Sequence, residues 1–208
     1  KTNHESWLKL EALQPTGSFK LRGIGHACEV YQEKGAVRFV SSSGGNAGIA
    51  VAYAGRRLQV PVLVVVPEST SERAIELIGQ ENAEVCVHGR SWNEANEYAL
   101  SLLGKGDAFL HPFDDPLLWT GHAGMIEETA DSGVKPDAVV VSVGGGGLLC
   151  GVIEGLHRCG WQDVPVGAVE TEGADSFAES FRRGCLVEKP AITSIATYLG
   201  AKQVTGQA

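Results

Sequence analysis

The run Asp137-Ala138-Val139-Val140-Val141-Ser142-Val143 empties into Gly144-Gly145-Gly146-Gly147, and a helix-forming segment, Leu148 to Arg158, follows at once. Four consecutive glycines between an apolar strand and a helix let the backbone approach a ligand closely. The free N–H groups at the helix start favour an anion, and a phosphate is the expected guest. A flexible linker would not be bracketed so tightly by apolar elements. The arrangement has an echo earlier in the chain. Val37-Arg38-Phe39-Val40 runs into Ser41-Ser42-Ser43-Gly44-Gly45-Asn46-Ala47-Gly48, and a helix follows over Ile49 to Leu58, with Ala50, Ala52 and Ala54 as small packing residues. Asn46 adds a side chain that both donates and accepts. Serine, glycine and asparagine are also ordinary in a plain strand-to-helix connector, so this second loop carries both readings.

Strand and helix signals alternate along the whole chain. Strands are expected near 7–11, 37–41, 62–66, 84–87, 138–143 and 166–170. Helices are expected near 19–33, 46–57, 71–79, 91–104, 116–131, 147–158 and 175–183. Thr70 or Ser71 should cap the third helix, and Gly104-Lys105-Gly106 and Asp131-Ser132-Gly133 are breaks. This βαβα order predicts an α/β fold with doubly wound parallel sheets. Ligands of such folds sit at the carboxyl ends of the strands, where both glycine loops lie.

A lysine stands at a third strand-to-helix junction. Trp7 to Glu11 alternates as a strand would, Pro15 and Gly17 make a turn, and Ser18 is a good N-cap for a helix beginning at Phe19. Lys20 then falls in the first helical turn, where the macrodipole disfavours a cation. With burial, such an amine loses its charge more readily and becomes a nucleophile. On position alone, a solvated surface lysine is the ordinary outcome.

Taken together, Gly17-Ser18-Phe19-Lys20, Ser43-Gly44-Gly45-Asn46-Ala47-Gly48 and the tetraglycine loop resemble the fold-type II pyridoxal-phosphate enzymes. Within them the chain is most similar to the L-serine/L-threonine dehydratases of the animal serine dehydratase type. His111-Pro112-Phe113-Asp114-Asp115-Pro116, Leu118-Trp119-Thr120-Gly121-His122-Ala123 and Gly167-Ala168-Val169-Glu170-Thr171 match in the same order. The resemblance implies a two-lobed fold, with a small lobe over 22–113 and a large coenzyme-binding lobe from 1–21 and 114–208. It implies pyridoxal phosphate held by Lys20 as a Schiff base, with Phe19 against the pyridine ring and Asn46 on the coenzyme's 3′-oxygen. It places the phosphate on Gly144, Gly145, Gly146 and Gly147. Ser43, Gly44 and Ala47 would receive the substrate carboxylate, with Asn46 beside them. Glu170, Ala174, Ser176 and Leu199 match positions that coordinate a monovalent cation such as potassium. The implied reaction is β-elimination of L-serine or L-threonine to pyruvate or 2-oxobutyrate plus ammonia, in a cytoplasmic homodimer. Racemases share much of the pattern. The family's chains extend further at both ends, and a late glycine-rich strand supplies a partner for the pyridine nitrogen. Nothing after Leu199 matches that strand. The 208 residues are therefore expected to form an incomplete large lobe, with the Val139, Val141 and Val143 face short of neighbours.

Composition narrows the remaining classes. A hydrophobic content of 43% and a charged content of 20% are those of a globular domain, and a net charge of −8 argues against nucleic acid as a partner. The densest apolar run, Val60 to Val66, contains Pro61 and is closed by Pro67, too short for a membrane span. Cys28, Cys86, Cys150, Cys159 and Cys185 are odd in number, widely spaced and lack a C-x-x-C pair, as reduced thiols would be. The six histidines show no metal spacing and read as structural or surface groups. Asp114 and Asp115 invite an acid–base reading, but before Pro116 they are expected to cap a helix. Two other functional classes stay open. Gly145, Gly147 and Gly151 with Glu170 imitate a dinucleotide fingerprint, although the third glycine is misplaced. A coenzyme fold retained without catalysis is the other.

Overall fold

The computed structural model describes residues 5–196 and 199–208. It holds two parallel sheets. The first contains β1 (Arg38–Ser41), β2 (Val62–Val66), β3 (Glu84–Val87) and β4 (Asp107–Leu110), in the order β3-β2-β1-β4. The second pairs β5 (Val139–Ser142) with β6 (Val166–Val169). Helices α1 (Lys20–Glu33), α2 (Asn46–Leu58), α3 (Glu72–Gln80), α4 (Trp92–Ser101), α5 (Pro116–Asp131), α6 (Gly147–Arg158) and α7 (Ser176–Arg183) complete the alternation. β2 is buried along its whole length, as a parallel strand covered on both faces must be. Ser71 and Ser91 cap α3 and α4 by accepting the amides of Ala74 and Glu94.

α5 joins the two halves. Its first turns pack into the core of Ile24, Phe39, Val51, Val64 and Leu110 through Leu118. Its later turns enter the core of Val141, Val143, Leu149, Val152 and Leu156 through Met125 and Ile126. Glycines let the helices touch backbone to backbone. A Cβ on Gly23 of α1 would lie 2.5 Å from the Leu118 carbonyl, and one on Gly151 of α6 would lie 2.8 Å from that of Trp119. The start of α1, with Lys20, is thereby fixed relative to both sheets.

Four local expectations are corrected. Residues 5–10 are not a strand but an irregular segment, followed by a short 3₁₀ turn at Glu11–Leu13. Their alternation has no neighbouring strand to pair with among the described residues, and Trp7, Leu8, Leu10 and Leu13 stay exposed. The segment is held instead by ions: Arg22 donates to Glu11 (2.7 and 2.9 Å) and Glu128 (2.7 and 2.8 Å), and Lys9 pairs with Glu128. β4 lies outside the expected strands: Asp107-Ala108-Phe109-Leu110 holds no β-branched residue and follows directly on the Gly104–Gly106 break. Ser18 is not a cap: Phe19 holds the N-cap position of α1, and the Ser18 hydroxyl is buried without a partner among the described residues. Finally, Val141 and Val143 are buried, and it is the opposite face, with Val140 and Val169, that lies open.

Candidate active site

Parallel pairing places Ser41 of β1 beside Leu110 of β4, so the loops that leave these strands emerge together. Ser41 Oγ donates to the Leu110 carbonyl (3.1 Å) and Ser42 Oγ to Asn96 Oδ1 (2.7 Å), which fixes the exit of the first loop. Ser43 Oγ accepts the Gly45 amide (3.3 Å) and turns the chain into α2. Among the described residues, the amides of Gly44, Asn46, Ala47 and Gly48 donate no hydrogen bond, and Asn46 is exposed. The loop thus offers free donors at a helix start, as an anionic group requires. The missing methyl of Gly44 faces Thr70, where a Cβ would lie 2.7 Å from Cγ2 and 2.8 Å from Oγ1.

Lys20 is the first residue of α1, and its Nζ donates to the Pro112 carbonyl in the β4 exit loop (2.5 Å). The residue keeps some exposed surface, yet its amine is enclosed. Burial lowers its pKa from the usual 10.5 to about 8. The amine also lies 5.2 Å from the centre of the Phe19 ring, which meets His122 edge-on at 5.1 Å. His122 is buried with Nδ1 unpaired among the described residues, and burial, followed by the charges of Lys20 and Arg22, lowers its pKa to about 3. A neutral imidazole there adds no charge to repel a cationic amine.

The tetraglycine loop lies against the same turn. A Cβ on Gly145 would strike the Phe113 ring, and one on Gly147 would lie 2.5 Å from the Phe113 carbonyl. Among the described residues, the amides of Gly144, Gly145, Gly146 and Gly147 donate no hydrogen bond. Gly146 takes the left-handed conformation (φ 89°), which only glycine adopts without strain. A lysine amine with a lowered pKa and an open row of amides at a helix start make a donor set that fits an aldehyde-bearing phosphate ester.

The residues matched to a cation site are gathered at one edge of this loop. A Cβ on Gly144 would lie 2.6 Å from the Leu199 carbonyl, and one on Gly200 2.6 Å from Ala174 Cβ. Ser176 Oγ donates to the Ala201 carbonyl (2.9 Å). The Glu170 carboxylate accepts the amides of Phe177 (2.9 Å) and Ala178 (2.7 Å) at the start of α7. An open cleft beside it, lined by Ala168, Phe177 and Phe181, lies on the exposed flank of β6, away from Lys20.

Asp115 caps α5 by accepting the Leu117 amide (2.8 Å) and takes a hydrogen bond from the Tyr31 hydroxyl (2.7 Å), as the capping reading expects. Asp114, expected to cap with it, does not: it accepts the Thr205 hydroxyl, and the Thr205 amide donates to the Gly145 carbonyl (3.0 Å). His111, Pro112, Phe113 and Thr205 are not among the site residues expected from sequence. For the first three a signal existed, the run His111 to Pro116 that matches the family in order. Thr205 gives no local signal.

The whole chain, residues 1–208, matches the family described as pyridoxal-phosphate dependent enzymes. An L-serine dehydratase/L-threonine deaminase of Bos taurus is 48% identical over 206 residues, 98% of this chain and 63% of its own. An L-serine ammonia-lyase from Rhizomucor miehei superposes with a TM-score of 0.89 at 39% identity, over 96% of this chain and 64% of that one. A serine racemase from Dictyostelium discoideum superposes at 0.86 and 29% identity, over 96% and 64%. The chain thus spans somewhat less than two thirds of the length of these proteins. Its lysine, serine-loop and glycine-loop geometry and the end-to-end match agree: the chain belongs to the pyridoxal-phosphate dependent enzymes.

Proposed function

We propose that the protein is an ammonia-lyase that eliminates the β-hydroxyl of L-serine or L-threonine, giving pyruvate or 2-oxobutyrate and ammonia. The observation that carries this reading is the Lys20 amine, enclosed, lowered to about 8 and aimed by the Pro112 carbonyl beside the tetraglycine loop. The names of the bovine and fungal relatives supply the substrate class. Pyridoxal phosphate, when bound, supplies an electron-withdrawing ring that stabilises negative charge at the substrate α-carbon. The Gly144–Gly147 amides would hold its phosphate, Lys20 its aldehyde carbon, Phe19 one ring face and Asn46 its 3′-oxygen. The free amides of the Ser43–Ala47 loop, Gly44 and Asn46 included, would hold the substrate carboxylate. Lys20, neutral for a useful fraction of the time near pH 8, would then take the α-proton.

Glu170, Ala174, Ser176 and Leu199 are proposed to hold a monovalent cation, potassium being the candidate, at the edge of the glycine loop. The close approach of Leu199 and Gly144 supports that placing. We also read residues 22–113 as the small lobe, which the four-stranded sheet supports, and the remainder as part of the large lobe. A homodimer working in the cytoplasm completes the proposal. Among the described residues no helix is long and apolar enough to cross a membrane. The likeness to a serine racemase favours a second reading, racemisation at the same α-carbon.

The test is borohydride reduction of the coenzyme-loaded protein with peptide mapping, together with assays of keto acid from L-serine and L-threonine and of D-serine. A label on Lys20 and keto-acid release support the proposal. A label on another lysine, or D-serine without keto acid, overturns it.

A further inference from the structure

His111 follows β4 at its carboxyl end and sits among aromatic rings. Its centroid is 4.7 Å from Phe113 and 6.2 Å from Trp92, both nearly perpendicular, and 6.4 Å from Phe109. Its Nδ1 accepts two backbone amides, those of Phe113 (3.2 Å) and Asp114 (2.8 Å). An atom that accepts two donors carries no proton, so a neutral ring holds its hydrogen on Nε2. The two bonds close the turn Pro112–Asp114, and that turn has several duties. The Pro112 carbonyl receives Lys20 Nζ, and Phe113 lies on Gly145 and Gly147. The Phe113 carbonyl accepts the Trp119 indole N–H (2.9 Å).

We propose that His111 is a positioning residue for the Lys20 amine, acting as a hydrogen-bond acceptor at Nδ1 to fix the turn whose Pro112 carbonyl aims the amine and whose Phe113 ring closes the glycine loop. The inference rests on the reading of Lys20 as the coenzyme lysine. Acceptance of the amides two and three residues ahead is what an asparagine or aspartate side chain does in a turn. An asparagine at 111 would put Oδ1 in the place of Nδ1, whereas a glutamine would put its oxygen one atom too far. Burial, then the charge of Lys20, lowers the His111 pKa against the opposing pull of Asp114 and Asp115, while Trp92 from α4 and Phe109 from β4 present no charge. The acceptor therefore stays available at neutral pH.

The test compares His111→Asn, His111→Gln and His111→Phe in the full chain by two readouts. One is the dissociation constant for pyridoxal phosphate, followed by the absorbance of the lysine-bound coenzyme. The other is the pH dependence of Lys20 acylation by trace acetic anhydride in coenzyme-free protein, read by mass spectrometry. Two hydrogen bonds of ordinary strength correspond to roughly tenfold in affinity. His111→Phe and His111→Gln should weaken coenzyme binding by about that factor and, by taking the Pro112 carbonyl away from the protonated amine, move the Lys20 midpoint below about 8. His111→Asn should stay within about threefold of the parent in affinity and keep the midpoint. Unchanged readouts in folded Phe or Gln variants, or failure of Asn where Phe fails, would overturn the proposal. If the parent traps the coenzyme on another lysine, the coenzyme reading falls, and the acylation midpoint still decides whether His111 sets the Lys20 amine.

Discussion

A lysine amine enclosed at a helix start lowers the stability of the fold, and the sign of that penalty can be worked out. Lys20 has a pKa of about 8 in the folded chain and 10.5 when unfolded, so between those values the unfolded state binds more protons. Stability then rises with pH through that window. Above it the amine is neutral in both states and the penalty is gone; below it the penalty is complete. The shift corresponds to about 3 kcal/mol, less what the Pro112 hydrogen bond returns. Lys20→Met should therefore raise coenzyme-free stability at pH 7 by about 1–2 kcal/mol while abolishing coenzyme attachment. The gain, read by urea unfolding, should shrink between pH 8 and 10.5. A variant that loses stability at pH 7 would mean that the amine is not enclosed. The neighbouring hydroxyl makes a second residue-scale case. Ser71 accepts an amide as a cap and Ser18 does not, so Ser71→Ala should cost about 1 kcal/mol and Ser18→Ala nothing, or give a slight gain. Equal losses in urea midpoints would mean that Ser18 has a partner in solution.

At the scale of elements, the two glycine loops are held by what their missing methyl groups would strike. Gly44→Ala would press on Thr70, so the loop or Thr70 must move. We expect a severalfold rise in KM for the proposed amino-acid substrate with coenzyme affinity kept, and partial recovery in Gly44→Ala/Thr70→Ala. An additive double-variant cycle would show that the two side chains do not meet in solution. The positions of both loops could be read from sequence because strand, small residues and helix are contiguous. The same holds for the caps at Ser71 and Asp115 and for every helix to within a few residues. What fills the loops could not be read. Phe113 reaches Gly145 and Gly147 across more than thirty residues, and Thr205 reaches Asp114 across 91. No local pattern records such a contact. The error at 7–11 has the same origin: alternation shows which faces a strand would have, but a ladder needs a partner strand, and among the described residues none lies beside Trp7 to Leu10. β4 failed in the opposite way, since Asp107 to Leu110 contains no β-branched residue to mark it as a strand, and its pairing with β1 makes it one.

On the scale of the whole molecule, α5 ties two sheets of unequal finish. The four-stranded sheet is covered on both faces at its centre, whereas the β5–β6 pair is packed on one face and open on the other. Val141 is buried while Val140, its neighbour in the strand, is 75% exposed, and Val169, on the same face of the β5–β6 pair as Val140, is exposed too. Exposed apolar side chains beside a strand edge that is unpaired among the described residues promote association with another chain. A polypeptide of these 208 residues should therefore self-associate in a concentration-dependent way, measured by sedimentation velocity. Val140→Lys should suppress that association and leave the urea midpoint within about 0.5 kcal/mol, because an exposed valine contributes little burial. Val141→Lys should instead unfold the second sheet, since a buried valine contributes about 1.5–3 kcal/mol and an unpaired buried cation costs more. The contrast between adjacent residues is what makes the test sharp, because both substitutions add the same charge. If Val140→Lys destabilises the chain as much as Val141→Lys does, the outer face of β5 is packed in solution and the open sheet is not its working state.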